Sequence, residues 1–164
     1  MGIRVLTVVA GLAWLASMHG AFMVPASAQA GYQEGLPPGE GQDTVLRVCS
    51  ECHGVDLVSS MNRRRPEWTS LVEDMAGRGG SATPDDIKTI INYGYTHFGL
   101  VNVNKAPEAD LSQVLQFTPE QAKAVVEYRG TKGEFKTVDD LKKVPGLDAA
   151  KVDEQKDHIV FTGA

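Results

Sequence analysis

Cys49-Ser50-Glu51-Cys52-His53 is the stretch on which the reading of this chain turns. Two thiols separated by two residues can each form a thioether to one vinyl group of a haem. The histidine that follows is then placed to ligate the iron from one side. These are the only two cysteines in the 164 residues, so neither has another partner within the chain. The same spacing also suits a local disulfide, a thioredoxin-like redox pair or half of a zinc site. A redox pair of that kind sits in a βαβ setting, and no such pattern is visible nearby. A four-ligand zinc site needs a second Cys or His pair, and His97 and His158 are isolated. The spacing therefore predicts one covalent haem c, attached through Cys49 and Cys52, with His53 as an axial iron ligand.

The amino terminus points the same way. Met1-Gly2-Ile3-Arg4 supplies one positive charge, Val5 to Leu15 is apolar, and Pro25-Ala26-Ser27-Ala28-Gln29-Ala30 ends in the small residues that suit signal peptidase. His19 and Gly20 interrupt a stretch otherwise long enough to span a bilayer. Residues 1–30 are expected to be a cleaved signal peptide, leaving a soluble periplasmic protein with no stable membrane insertion. Haem is attached to such motifs outside the cytoplasm, so export and the cysteine spacing each predict the other. Cleavage leaves 134 residues with 15 basic and 21 acidic side chains, a formal charge of −6. Such a chain is not drawn as a whole to nucleic acid or anionic lipid, but it can dock on a basic redox partner. Residues 31–42, GYQEGLPPGEGQ, read as a flexible leader.

From Asp43 to Gly99 the pattern predicts three helices around the cysteine motif. Asp43 or Thr44 is expected to cap the first, which carries Val45, Leu46 and Val48 into Cys49. Pro66 suits the first turn of the second, whose stripe is Trp68, Leu71, Val72 and Met75. Thr83-Pro84-Asp85-Asp86 is a start signal for the third, which buries Ile87, Ile90, Ile91 and Tyr95 and stops at Gly99. A part this small needs more apolar surface than its side chains supply, and a porphyrin would supply it. An electron carrier also fills the sixth iron position. Met75 is the expected ligand, since it lies on the apolar stripe just before the Gly77-Arg78-Gly79-Gly80 turn. Met61 follows His53 by only eight residues, which leaves little chain to reach the opposite haem face. A methionine on an apolar stripe is otherwise usually core filler.

These residues carry a family resemblance. Cys49–His53, an arginine run, Trp68-x-x-x-Val72-x-x-Met75-x-x-Arg78-Gly79 and a closing helix into Tyr95-x-His97-Phe98-Gly99 resemble a class I cytochrome c domain. The similarity is to the haem domains found with quinohaemoprotein dehydrogenases, and it covers about residues 38–99. It implies Cys49 and Cys52 as attachment points, His53 and Met75 as axial ligands, and packing of the first helix on the last. It also implies an exposed haem edge, with a protein donor and acceptor such as a periplasmic dehydrogenase. Arg63-Arg64-Arg65 either holds a haem propionate or forms a solvated basic loop.

Residues 101–164 resemble something else. VNVNKAPEADL from Val101, AKAVVEYR, GEFKTVDDL from Gly133 and Val144-Pro145-Gly146-Leu147 are similar to the tandem helix-hairpin-helix domain of the ComEA type, found in competence DNA receptors. Leu111, Val114, Leu115, Ala122, Val125, Val126, Leu141, Val144, Leu147, Val152 and Ile159 are expected to close a core, with helix starts at Thr118 and Thr137. DNA-gripping hairpins present backbone amides to a phosphate at a glycine turn. Here the first hairpin, Leu115-Gln116-Phe117-Thr118, has no glycine, and the second follows Gly146 with Leu147-Asp148. From Lys105 onward nine basic residues face eleven acidic ones. DNA binding is therefore expected to be weak or absent, and the domain to serve as a docking module.

The sequence thus predicts an all-α chain, with a monohaem domain over 43–99 and a helix-hairpin-helix domain over 101–164. The expected role is electron carriage between protein redox partners rather than catalysis. A DNA-binding or DNA-uptake accessory carrying a structural haem is the second reading. A small peroxidase would need an open sixth position.

Overall fold

The computed structural model describes residues 35–163, so the expected signal peptide lies outside the described residues. Helix α1, Gln42–Cys49, starts behind Gly41, whose φ is 94°, and not on an Asp43 or Thr44 side-chain cap. A four-residue helix, α2 (Asp56–Ser59), follows the cysteine motif and tucks Val58 inward. It is too short to leave a periodic signal in sequence. Helix α3, Arg65–Gly77, has Pro66 in its first turn, and the Arg64 backbone N–H donates to Glu67 Oε2 at 2.9 Å. Helix α4, Pro84–Phe98, starts on the expected capping box. Asp86 N–H donates to Thr83 Oγ1 at 3.2 Å, and Thr83 N–H donates to Asp86 Oδ2 at 2.9 Å. The leader expected over 31–42 is packed where it is described. Leu36 is buried, and the Tyr93 hydroxyl donates to the Pro37 carbonyl at 2.6 Å.

Helix α4 is the axis of this half, with α1 and α3 both packed on it. The α3–α4 crossing depends on Gly94. A Cβ there would stand 2.7 Å from Trp68 Cε3, in contact too close for any side chain, and Trp68 is itself almost fully buried with Nε1 donating to the Phe98 carbonyl at 3.4 Å. Gly94→Ala is expected to overpack this crossing and destabilise the protein by about 1–3 kcal/mol, read as a lower urea midpoint with an unchanged slope.

The second half is helical except for one short pairing. Strand β1 (Val101–Asn102) lies parallel to β2 (Ile159–Val160), with Val101 opposite Ile159, so the two ends of this half meet. Between them run α5 (Glu108–Leu115), α6 (Pro119–Lys132), α7 (Val138–Leu141) and α8 (Ala149–Glu154). Thr118 and Thr137 cap α6 and α7 as expected, accepting from Gln121 and Asp140 N–H groups. Leu111, Val114, Leu115, Ala122, Val125, Leu141 and Val152 are buried inside it, while Val126 and Leu147 are only partly covered.

The two halves share one continuous core, running from Leu36 and Val45 through Trp68 and Phe98 to Leu115 and Ile159. Polar contacts reinforce the junction. Arg65, the first residue of α3, stacks 4.3 Å over the Tyr95 ring and donates to Asn92 Oδ1 and Gln113 Oε1. The Tyr95 hydroxyl donates to Asp110 Oδ2 at 3.0 Å, and His158 Nδ1 donates to the Gly99 carbonyl at 2.8 Å. The second half is thus a fixed mount for α3 and α4 rather than a loosely tethered unit.

Candidate functional site

The cysteine motif opens onto an apolar cleft of about 320 Å³, within the size range of small-ligand pockets. One side is the motif itself, with Val48, Cys49, Cys52 and His53. Leu57 and Met61 come from α2 and the chain after it. The α3 stripe also lines it, with Trp68, Leu71, Val72 and Met75, as does the loop bearing Arg78 and Gly80. All four stripe residues expected from helical spacing face this one space. Leu57 and Met75, exposed large hydrophobic side chains at 47% and 42%, both belong to its lining. Apolar side chains left in water around one cleft indicate a surface that something apolar covers.

The chemistry of the lining can be read group by group. Cys49 ends α1, where the negative end of the helix dipole and burial both oppose ionisation, and burial pushes its thiol above the ordinary value. A thioredoxin-like nucleophile needs the reverse, a thiolate favoured at a helix amino terminus. His53 is exposed, with Nδ1 3.0 Å from the Gly54 carbonyl. A carbonyl only accepts, so Nδ1 carries a proton in this contact, and in the neutral ring Nε2 keeps the lone pair that ligates a metal. Among the described residues, no three His, Cys, Asp or Glu side chains come together as a site for a bare metal ion.

Both methionines line the cleft, so the fold brings Met61 and Met75 to it together. They differ in surroundings. Met61 is partly buried against the core, and its sulfur accepts from Arg63 Nη2 at 3.6 Å. Met75 is exposed into the cleft from α3. His97, the alternative nitrogen ligand, is not among the lining residues. Its ring packs 4.5 Å from that of Tyr93, and burial lowers its pKa.

The arginine run divides three ways. Arg64 pairs with Glu67, and Arg65 serves the junction between the halves. Arg63 carries a buried Nε with no hydrogen-bond partner, while its Nη2 donates to the Met61 sulfur. Sequence did not separate these three, because adjacent arginines point into different surroundings.

Four lysines of the second half are held in ion pairs. Lys142 pairs with Asp139 and Asp153, Lys143 with Asp140, Lys151 with Glu154 and Lys123 with Glu127. In the first hairpin Gln116 takes the left-handed conformation, φ 54°, where a glycine would be favoured, and Phe117 is buried beside it. In the second, Gly146 has φ 81°, but Asp148 accepts from Ala150 N–H at 2.9 Å and so places its carboxylate at the start of α8.

Residues 97–160 match the family described as helix-hairpin-helix motif, which identifies the second half as a helix-hairpin-helix region. Two curated proteins are similar to part of the chain, both titled endonuclease/exonuclease/phosphatase family domain-containing protein 1. The one from Bos taurus is 39% identical over 61 residues, covering 37% of this chain and 10% of its own. The one from Xenopus laevis is 24% identical over 106 residues, covering 63% of this chain and 19% of its own. The chain therefore spans less than a fifth of either relative. No solved structure matches it.

Proposed function

We propose that this chain is a periplasmic monohaem c-type cytochrome that carries electrons between protein partners. Its helix-hairpin-helix half acts as the mount and docking surface. The observation that carries the proposal is the gathering of Cys49, Cys52, His53 and Met75 around one apolar cleft. The residues fit a haem. Two thiols stand at thioether spacing, a histidine presents an Nε2 lone pair, and a thioether projects from the α3 side. Trp68, Val72 and Ile90 supply an apolar wall to the cleft. Cys49 and Cys52 would hold the group covalently, and His53 and Met75 would be its axial ligands. Bound there, a haem supplies a one-electron Fe(III)/Fe(II) couple. The protein's part would be to fix the ligands and shield the group with the apolar cleft wall. The leader residues and cleavage pattern at 1–30 support export, and no helix among the described residues is long and apolar enough to cross a membrane.

The test is the state of the cofactor in protein made with a working haem-attachment system and purified after export. A haem retained through acid–organic extraction is the expected result. Extractable haem, or none, would overturn the reading.

The second reading, a DNA accessory, draws on the helix-hairpin-helix match, but the charges of this half oppose it. Phosphate contacts dominate such binding and need unpaired cations or free amides. The paired lysines and the Asp148 carboxylate at the second hairpin supply neither. The mature protein is expected to bind duplex DNA no better than weakly at near-physiological salt. Gel-shift titration at two salt concentrations checks this. Sub-micromolar binding that falls steeply with salt, and is lost in Lys142→Glu with Lys143→Glu, would put the DNA reading first.

A further inference from the structure

The loop between α3 and α4 borders the cleft, yet it holds few anchors of its own. Gly79 and Gly80 stand where no atom lies within 4 Å of a would-be Cβ, and Gly79 has φ 116°. Glycine-rich chain loses much conformational freedom on ordering, so any specific contact decides where it rests. That contact comes from Glu51, the second residue between the two cysteines. Ser81 N–H donates to Glu51 Oε2 at 3.2 Å, and the Ser81 hydroxyl donates to Oε1. Beside it Arg47, in the last turn of α1, pairs with Asp86, which already closes the Thr83 capping box. Both links join the cysteine side of the cleft to the chain just after Met75. One link falls within the loop at Ser81 and the other in the first turn of α4 at Asp86, and Arg78, Gly80 and Ala82 line the cleft.

We propose that Glu51 is a positioning residue, a latch that holds the Gly79–Ser81 loop on the cysteine turn and thereby keeps the Met75 thioether at the sixth iron position. This rests on the haem reading above. Glu51 touches no reacting atom, and it acts through Ser81 on the carboxyl end of α3. Both partners are exposed, so the latch contributes little to global stability and its effect is local.

The test uses the full mature holoprotein and its Glu51→Ala, Ser81→Ala and doubly substituted forms. Imidazole, which competes with a thioether for ferric iron, is titrated while the near-infrared Met–His band is followed. Each single variant is expected to raise apparent imidazole affinity by about three- to tenfold, the scale of one or two lost hydrogen bonds. The double variant should add little, because both substitutions break one link. Haem content and unfolding midpoint should stay unchanged. Unaltered imidazole affinity in Glu51→Ala, or full additivity in the double variant, would overturn the latch. Amide hydrogen exchange at residues 79–82 gives a reading that does not depend on haem. Faster exchange in Glu51→Ala supports the latch, and unchanged exchange removes it. Protein without covalent haem would instead overturn the function proposed above, leaving the exchange result to decide the latch.

Discussion

Cys49→Ala or Cys52→Ala should leave little mature holoprotein, with the double substitution giving none. Each thioether needs its own thiol, and the chain has no third cysteine to substitute. Cys49 is the more exacting of the two. It ends α1, packs against the core and is half-buried, whereas Cys52 is exposed. A haem left with one thioether at Cys49 is held by a fixed point. One left at Cys52 is held by a turn. Cys52→Ala should therefore retain more haem protein than Cys49→Ala. The measurement is covalently bound haem per polypeptide in exported protein, by absorbance of the denatured chain and by intact mass. Equal, full haem content in both variants would remove the central claim.

Met75→Ala is the second large effect. It should abolish the near-infrared band of ferric Met–His haem, lower the reduction potential because a thioether favours the ferrous state, and open the iron to small ligands. Imidazole affinity should rise by about 100-fold, equivalent to ~2.7 kcal/mol. Met61→Ala should leave the band in place and cost only the packing of a partly buried side chain. The contrast is informative because both sulfurs line the same cleft. Met61 is already engaged by Arg63 and by the core, and Met75 stands exposed into the cleft. The reverse pattern, with Met61→Ala losing the band, would reassign the ligand. A bis-histidine spectrum would point to His97 and would require its ring to leave Tyr93.

The proposed latch links these two sites. On that reading, exchange of the sixth ligand would depend on a residue that lies between the cysteines in sequence and meets the loop after α3 in space. The mount formed by α5 adds a second constraint. Asp110 and Gln113 hold Arg65 at the start of α3, the helix that ends at Met75. Both ends of that helix are tied, one to each half of the chain.

Much of this was legible locally. The Cys49–His53 spacing, the Thr83, Thr118 and Thr137 caps, Pro66 in the first turn of α3 and the Trp68-to-Met75 stripe all depend on residues within a few positions of one another. Backbone geometry makes such signals readable without knowing the fold. The helix-hairpin-helix region was legible through the resemblance its VNVNKAPEADL and Val144-Pro145-Gly146-Leu147 stretches carry, and its short helices through apolar positions at helical spacing. The tertiary structure decided what lies farther apart. It alone brings Met61 to the cleft beside Met75, sends the three adjacent arginines to three different partners, joins Glu51 to Ser81 across thirty positions, and merges two expected cores into one at Arg65, Tyr95 and Asp110. Those outcomes follow from how closely α3 can cross α4 at Gly94 and from where α5 then docks. Crossing distance and docking are set by side chains meeting from distant parts of the chain, and no local pattern records them.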